Sequence, residues 1–259
     1  MPPITVKTSL RQQPPPGPST KLTYPTPSNP SPATNPPFLT DALRVRHTVF
    51  VAEQGCDPTN EIDSDDGRSW HWVLYTSSSS KGDNQQGQNL GEEEEEEEEE
   101  EAEKEMEDRI PIGVIRLVPP PHAPHETLLL DPSSTSTSSL PKYDLHHEPY
   151  IKLTRVAVLR EYRGQGLAKK MVEAALEWAA EHPDEIDAAY ARVARDESQT
   201  EGQTQGTGRR WTGLALVHAQ VPVEKMYQKL GFVTDDALGR WHEEGIEHVG
   251  MWRRVPVRS

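Results

Sequence analysis

The residues from Arg163 to Ala168 combine a basic side chain with closely spaced small residues, in the order Arg-Gly-Gln-Gly-Leu-Ala. They follow a β-branched run that predicts a strand and open an amphipathic stretch that predicts a helix from about Gly166 to Glu181. Small residues let backbone N–H groups approach a ligand, and a helix N-terminus carries partial positive charge. The spacing fits neither a dinucleotide-binding loop nor a P-loop. It predicts a cradle for a diphosphate, with a plain strand-to-helix turn as the alternative.

Side chains able to move protons are spread over the rest of the chain. Tyr227 lies near the end of a short predicted helix, and its phenol is a candidate general acid, with packing of the ring as the alternative role. For a general base, His248, Glu61, Asp63 and His218 are candidates, and a chain of water molecules stays open as well.

Two arginines, Arg116 and Arg155, fall inside apolar strands, where a charge needs a partner. Either a carboxylate such as Asp63 or an anionic substrate group would serve. The acidic residues at 61, 63, 65 and 66 lack the glycine and terminal glutamate of an EF-hand. They are therefore expected to cap loops or attract a cationic acceptor, and no metal site is predicted.

Composition limits the class of protein. Of the 259 residues, 33% are hydrophobic and 24 are proline, so only part of the chain can form a core. The formal charge of -15 is concentrated between Glu92 and Asp108, which hold 14 acids and one lysine. The single cysteine, Cys56, excludes an intramolecular disulfide and a zinc cluster, and is expected to be a buried structural thiol. With no leader-like start and no long apolar run, we expect a soluble intracellular protein, cytoplasmic or nuclear.

Element periodicity predicts a mixed α/β fold with the order β, α, β, β, β, α, β, α, β. Residues 1–10 hold a weak first strand, Ile4 to Thr8, and residues 11–37 a disordered proline-rich arm. One domain then spans residues 38–258, interrupted by disordered inserts at 77–109, 119–149 and 195–210. Its first helix has Thr40 or Asp41 as the expected N-cap. Leu153, Arg155 and Ala157 are expected to alternate with Thr154, Val156 and Val158 along one strand.

The loop pattern Arg163-x-x-Gly166-x-Ala168 resembles the coenzyme A signature of the GNAT (Gcn5-related) N-acetyltransferases. The stretch Tyr227 to Phe232 is similar to the family's tyrosine and Gly-Phe element. Within the family, the chain is similar to the ElaA-like branch in segments 49–56, 61–66, 219–220 and 244–251 and at His71. The resemblance covers the four predicted structured segments and none of the inserts.

The resemblance implies the GNAT acyl-CoA N-acyltransferase fold, a central twisted mixed sheet flanked by helices. It also implies acetyl-CoA as co-substrate, attacked directly by a neutral amine without an acyl-enzyme, so that Cys56 is not needed as nucleophile. The diphosphate would be bound by Arg163, Gly164, Gln165, Gly166, Leu167 and Ala168, and the pantetheine amides by Val156, Ala157 and Val158. By its position in the family element Tyr227 would be the general acid, and His248, in a segment similar to the family's, would be the first choice for the general base. Arg116, Arg155, Glu61, Asp63 and Gln220 would line the acceptor site.

Three functions stay open from the sequence. The first is acetylation of a small primary amine; the family resemblance suggests an amino sugar phosphate such as glucosamine 6-phosphate as one acceptor, with Arg116 and Arg155 binding the phosphate. The second is acetylation of a protein, at a lysine or an N-terminus, with the glutamate tract attracting basic substrates. The third is a non-catalytic acyl-CoA-binding interaction protein. No nucleic-acid or membrane partner is predicted, and the sequence leaves a homodimer open.

Overall fold

The computed structural model describes residues 7–77, 109–128, 141–201 and 209–258, with only the backbone given for 77, 128 and 197–201. The glutamate tract and the centres of the three predicted inserts lie outside these ranges. No helix within the described ranges is long and apolar enough to cross a membrane.

Eight strands and four α-helices form the described part of the chain. In chain order they are β1 (Thr8–Gln13), α1 (Pro37–Arg46), β2 (Trp70–Ser77), β3 (Arg109–Val118), β4 (Ile151–Val158), α2 (Leu167–Glu181), α3 (Pro183–Glu201), β5 (Leu214–Gln220), α4 (Glu224–Lys229), β6 (Val233–Thr234), β7 (Arg240–Glu243) and β8 (Ile246–Arg254). A π-helical segment, His47–Glu53, continues α1.

The strands make one mixed sheet in the order β1-β2-β3-β4-β5-β8-β6, with β7 paired to β8. Neighbouring strands are antiparallel except β4 and β5, which run parallel. These two strands are paired only where Ile151–Leu153 lies beside Ala215–Val217. Beyond this stretch the two strands are not hydrogen-bonded to each other, although each continues for several residues.

The two faces of the sheet differ in chemistry. One face packs on α2 and α3 through buried residues such as Leu117, Met171 and Ile186. The other packs on α1 through Val45, Val73, Val114 and Ala157 at the β2–β4 side.

Toward β5 and β8 this second face becomes polar. Residues paired across neighbouring strands share a face, and the register pairs Arg116 with Thr154, Lys152 with Leu216, and Gln220 with His248. We call the surface formed by Arg116, Thr154, Lys152, His218, Gln220 and His248 the polar face.

Residues 11–37 are not the flexible arm that composition predicts. The first strand lies at Thr8–Gln13, later than expected, and pairs along β2. Gly17 N–H donates to the Gly67 carbonyl, and the Asn35 side chain exchanges two hydrogen bonds with the Thr23 backbone. Proline lowers the entropy lost on ordering, so a proline-rich stretch packs with few contacts.

Three further differences from the sequence prediction concern helix ends and inserts. Helix α1 begins at Pro37 and not after Thr40 or Asp41, because proline suits the first position of a helix. The helix α3 covers the start of the predicted insert at 195. In the insert 119–149, residues 119–127 and 141–149 pack on the sheet: His122 is buried and stacks on Tyr150 at 4.4 Å between ring centroids.

Candidate active site

A cavity of about 630 Å³ opens where β4 and β5 cease to pair. Its walls come from the second halves of both strands, the loop before α2, helix α4 and strand β8. The residues predicted from the sequence that line it are Val156, Ala157, Val158, Arg163, Gly164, Gly166, Leu167, Ala168, Tyr227, His248, Arg116, Arg155, Glu61, Asp63 and Gln220. Only Gln165 of the predicted set is not among the lining residues, so the fold brings these distant segments together.

A bulge in β4 separates the two strands. Val114 pairs with Ala157 and Arg116 with Thr154, so β4 has one residue more than β3 over this stretch. Arg155 takes up the extra length with a φ of 53°, in the left-handed region that costs a non-glycine residue about 1 kcal/mol. The expected alternation is therefore wrong: Leu153 and Val158, five residues apart, pack into the same core.

The bulge leaves one edge of β4 without a partner strand. Val158 and Ala157 are paired to β3 on one side, whereas β5 is paired no further than Leu153 on the other. Backbone groups of residues 156–158 on that side face the cavity edge, and a ligand with amide groups is able to complete their hydrogen bonding.

The loop before α2 places backbone amides at the cavity. Gly164 and Gly166 have φ values of 81° and 73°, and Gly166 is the N-cap of a 15-residue helix with no side-chain cap. A Cβ at either glycine would meet nothing within 4 Å, so the loop borders open space. Free amides at a helix N-terminus beside open space suit a diphosphate. The Arg163 side chain is tied down, donating to the Val158 carbonyl at 2.9 Å and to Glu53 at 2.7 Å.

Tyr227 is buried on α4, with its ring edge-on to Phe232 at 5.6 Å between centroids. Burial raises the pKa of its hydroxyl well above the usual value, so the phenol keeps its proton at neutral pH. Since the residue lines the cavity and no hydrogen bond to its hydroxyl forms within the described residues, this proton is available to a ligand.

Two histidines of the polar face have ring orientations fixed by hydrogen bonds. His248 Nδ1 lies 2.8 Å from the Ile246 carbonyl, which only accepts, so Nδ1 carries the proton and Nε2 is the acceptor. His218 Nδ1 lies 3.0 Å from Glu243 in the same way. Burial lowers the pKa of His218 to about 4, which leaves it a weak base.

The two predicted arginines are paired with carboxylates. Arg116 donates to Asp63 at 2.7 and 2.8 Å, to Asp66 at 2.8 Å and to Thr154 at 2.9 Å. Arg155 donates to Asp63 at 3.1 Å. The sequence left two kinds of partner open for these arginines, a carboxylate or an anionic substrate group. In the structure both arginines contact carboxylates.

A third arginine, Arg46, completes this cluster from the last turn of α1. It contacts Glu61 at 3.1 Å and Asp66 at 2.8 Å and is 1% exposed. Burial opposes ionisation of Asp63 and Asp66, but Arg116 outweighs it and holds the pKa of both carboxyls below its usual range. Sequence analysis missed Arg46, although its spacing from Leu39 and Leu43 puts it on the buried stripe of the helix.

Two other predicted residues have contacts that restrict their roles. The Gln220 amide exchanges hydrogen bonds of 3.1 and 3.3 Å with Gln54. Cys56 is buried at the cavity wall, and burial raises the pKa of its thiol, so it is not an activated nucleophile. Within the described ranges, no group of three His, Cys, Asp or Glu side chains is placed to hold a metal ion.

Comparison with known proteins identifies the family. The model of the acetyltransferase (GNAT) family matches residues 66–201, which include strand β4 and the glycine loop before α2, whereas β5 lies beyond the match. The chain therefore belongs to the GNAT acetyltransferase family, and it is an acyltransferase that uses acetyl-CoA. The curated proteins searched gave no match to the chain.

Solved structures with a similar fold include three from different organisms. ElaA from Escherichia coli is 17% identical, with 96% of this chain and 100% of that chain covered and a TM-score of 0.44. An acyl-CoA N-acyltransferase from Pseudomonas aeruginosa is 18% identical over 96% and 99%, with a TM-score of 0.44. NAA60 from Arabidopsis thaliana, in complex with a bisubstrate analogue, is 10% identical over 95% and 99%, with a TM-score of 0.42.

Proposed function

We propose that the protein transfers the acetyl group of acetyl-CoA directly to the primary amine of a small molecule. The observation that carries this proposal is that the glycine loop, Tyr227 and His248 line one cavity, opened by the separation of β4 and β5. A diphosphate site and two proton-transfer groups in one cavity are what direct acyl transfer from a thioester requires.

The coenzyme binds through backbone groups. Amides of the loop from Gly164 to Ala168 hold its diphosphate, and the free edge of residues 156–158 pairs with the pantetheine amides. This edge exists because of the bulge at Arg155, so the strained backbone there shapes the strand edge that binds the coenzyme.

The acceptor nitrogen attacks the thioester carbonyl, a C–N bond forms, and the C–S bond breaks. The acceptor attacks as the neutral amine. His248 Nε2 takes the proton that this nitrogen loses as the amide forms. Tyr227 donates its proton to the departing thiolate, giving free coenzyme A. Cys56 takes no part, since its thiol stays protonated and no acyl-enzyme forms.

A small acceptor is favoured because two interactions join chain segments on opposite sides of the part of the cavity where the acceptor binds. Glu244, in the turn between β7 and β8, accepts from the Asn60 side chain at 2.6 Å and from the Asp57 backbone at 3.1 Å. The Gln54–Gln220 pair joins the segment after α1 to β5. A protein substrate would need an open groove at these positions.

The test is release of free coenzyme A over a panel of amino sugars, polyamines, amino acids and basic peptides, with the acetylated product confirmed by mass spectrometry. We expect release to depend on a small amine and to be low without acceptor. Faster release with basic peptides than with every small amine would overturn the choice of acceptor. Release that no amine accelerates would overturn amine transfer itself.

A further inference from the structure

A second cavity, of about 440 Å³, lies beside the first on the polar face. Its walls are the ends of the insert 119–149 that pack on the sheet, together with residues of β5 and β8. Aromatic rings form much of this wall: Tyr150 stands edge-on to Trp252 at 5.0 Å, and His147 stacks on Trp252 at 5.6 Å. We call this space the insert cavity.

The insert cavity adjoins the active-site cavity, because Asp65, Lys152 and His218 line both. Lys152 and His218 project from neighbouring parallel strands, at the end where β4 and β5 are still paired. A molecule that reaches the reacting centre from the insert cavity must pass these side chains.

Among the residues that the structure describes, Lys152 differs from the arginines around it in having no counter-ion. Within the described ranges, its ammonium takes part in no salt bridge and no hydrogen bond, and Glu243 and Asp65 act on it only at longer range. Glu243 is already bound to His218 at 3.0 Å and to the Trp241 indole at 2.7 Å. Asp65 is bound to Arg68 at 2.8 Å.

An ammonium that is partly buried without a partner is costly to keep charged. Burial lowers the pKa of Lys152 to about 8, yet the group still carries its charge at neutral pH. An anion bound there would restore the solvation that burial removes, so this position is suited to a charged ligand group.

We propose that Lys152 binds an anionic group of the acceptor, a phosphate or a carboxylate, at the junction of the two cavities. This inference rests on the proposed function, because it names the class of amine that the active site acetylates. The aromatic wall beyond Lys152 accepts a ring or another flat part of the same molecule. Arg116 and Arg155, which the sequence suggested for a phosphate, are held by Asp63.

Strand geometry sets the size of such an acceptor. Lys152 pairs with Leu216, whereas His248 pairs with Gln220, four residues further along β5. At about 3.3 Å per residue, these two residue pairs lie on the order of 13 Å apart along β5. The lysine side chain spans part of this distance. Several bonds must therefore separate the amine from the anionic group, as they do in an amino sugar phosphate.

Binding of amine-free probes tests the anion site without any need for turnover. Phenyl phosphate, benzoate and the neutral benzyl alcohol are titrated by calorimetry into protein saturated with coenzyme A, which blocks the diphosphate loop. We expect at least one anion to bind tenfold or more tightly than the alcohol, and the two anions tell a phosphate site from a carboxylate site. Lys152→Met should lose this preference and Lys152→Arg should keep most of it. Lys229→Met, an equal charge loss at an exposed position of α4, should change nothing.

Two results would overturn the proposal: neither anion binds wild type more tightly than the alcohol, or Lys152→Met binds both anions as wild type does. Lys152→Gln serves as a second neutral variant if the methionine variant does not fold. Amine-dependent release of coenzyme A is measured separately on the same preparations. An anion site without amine transfer would refute the proposed function, whereas amine transfer without the anion site would refute only this inference.

Discussion

Replacing Arg116 with methionine removes the centre of the buried ion cluster while keeping a side chain of similar length. Asp63 would keep Arg155 as a partner and Asp66 would keep Arg46, so neither carboxylate is left wholly unpaired. Breaking a buried ion pair costs about 3–5 kcal/mol, and these remaining partners favour the lower end, about 3 kcal/mol. For a domain of this size that corresponds to a fall in melting temperature of about 6–12 °C.

The assay is thermal and urea unfolding of Arg116→Met beside a matched surface control. Arg240→Met breaks the exposed pair with Glu247 and should cost well under about 1 kcal/mol. Arg116→Lys should recover part of the loss, since it keeps the charge without the bidentate geometry. An Arg116→Met protein that has the wild-type melting temperature but binds an anionic acceptor poorly would refute this reasoning. Arg116 would then be a substrate-binding residue.

Two further predictions concern catalysis and pH. Tyr227→Phe keeps the packed ring and deletes the acid, so the single-turnover rate should fall on the order of 10²- to 10⁴-fold with acetyl-CoA affinity kept within a few-fold; a wild-type rate would assign the tyrosine to packing. Burial lowers the pKa of His71 and of His218 to about 4, below the ordinary value of 6.5, so both contribute stability above pH 6.5 that is lost as pH falls toward 4. The free energy of unfolding, measured with urea, should fall by about 3 kcal/mol for each histidine between pH 6.5 and pH 4. The fall should be smaller in His71→Asn. A free energy of unfolding that stays constant between these pH values would contradict the neutral state assigned to the two buried histidines.

Periodic segments with a buried stripe could be predicted from the sequence. The helix expected at 166–181 is Leu167–Glu181, and the strand expected at 110–118 is Arg109–Val118. In both, many apolar residues repeat at the period of the element, and this signal needs no knowledge of the rest of the fold. The position of the glycine loop before α2 could be predicted for a similar reason, because the pattern that marks it lies in consecutive residues; its role in binding a diphosphate stays a prediction.

Helix α3 could not be predicted well, because its buried stripe is only Ile186, Tyr190 and Ala194 among polar residues. The bulge at Arg155 was missed because a left-handed arginine has no signature in a β-branched strand. Contacts made elsewhere stabilise it, including a hydrogen bond of 3.0 Å to the Asn60 carbonyl. Such positions depend on tertiary partners and are read only from the folded chain.

The partners of charged residues were the hardest to predict. The cluster around Arg116 joins α1, the loop at 61–66 and two strands, and nothing in the sequence says which carboxylate meets which arginine. The same holds for Lys152, whose importance lies in the absence of a counter-ion among the described residues. Both facts follow from the fold.

The central claim, that the loop before α2 holds acetyl-CoA for transfer to an amine, is tested most directly by Gly166→Asp. An aspartate there meets open space and tolerates a left-handed backbone better than most residues, so the protein should fold. Gly231→Asp, with a φ of 79° and only an ordinary contact of 3.7 Å to Arg253, is the matched control outside the cavity. Calorimetry should show acetyl-CoA binding lost in folded Gly166→Asp and retained in Gly231→Asp, with amine-dependent release of coenzyme A lost in the first alone. Unchanged acetyl-CoA affinity in folded Gly166→Asp would contradict the account.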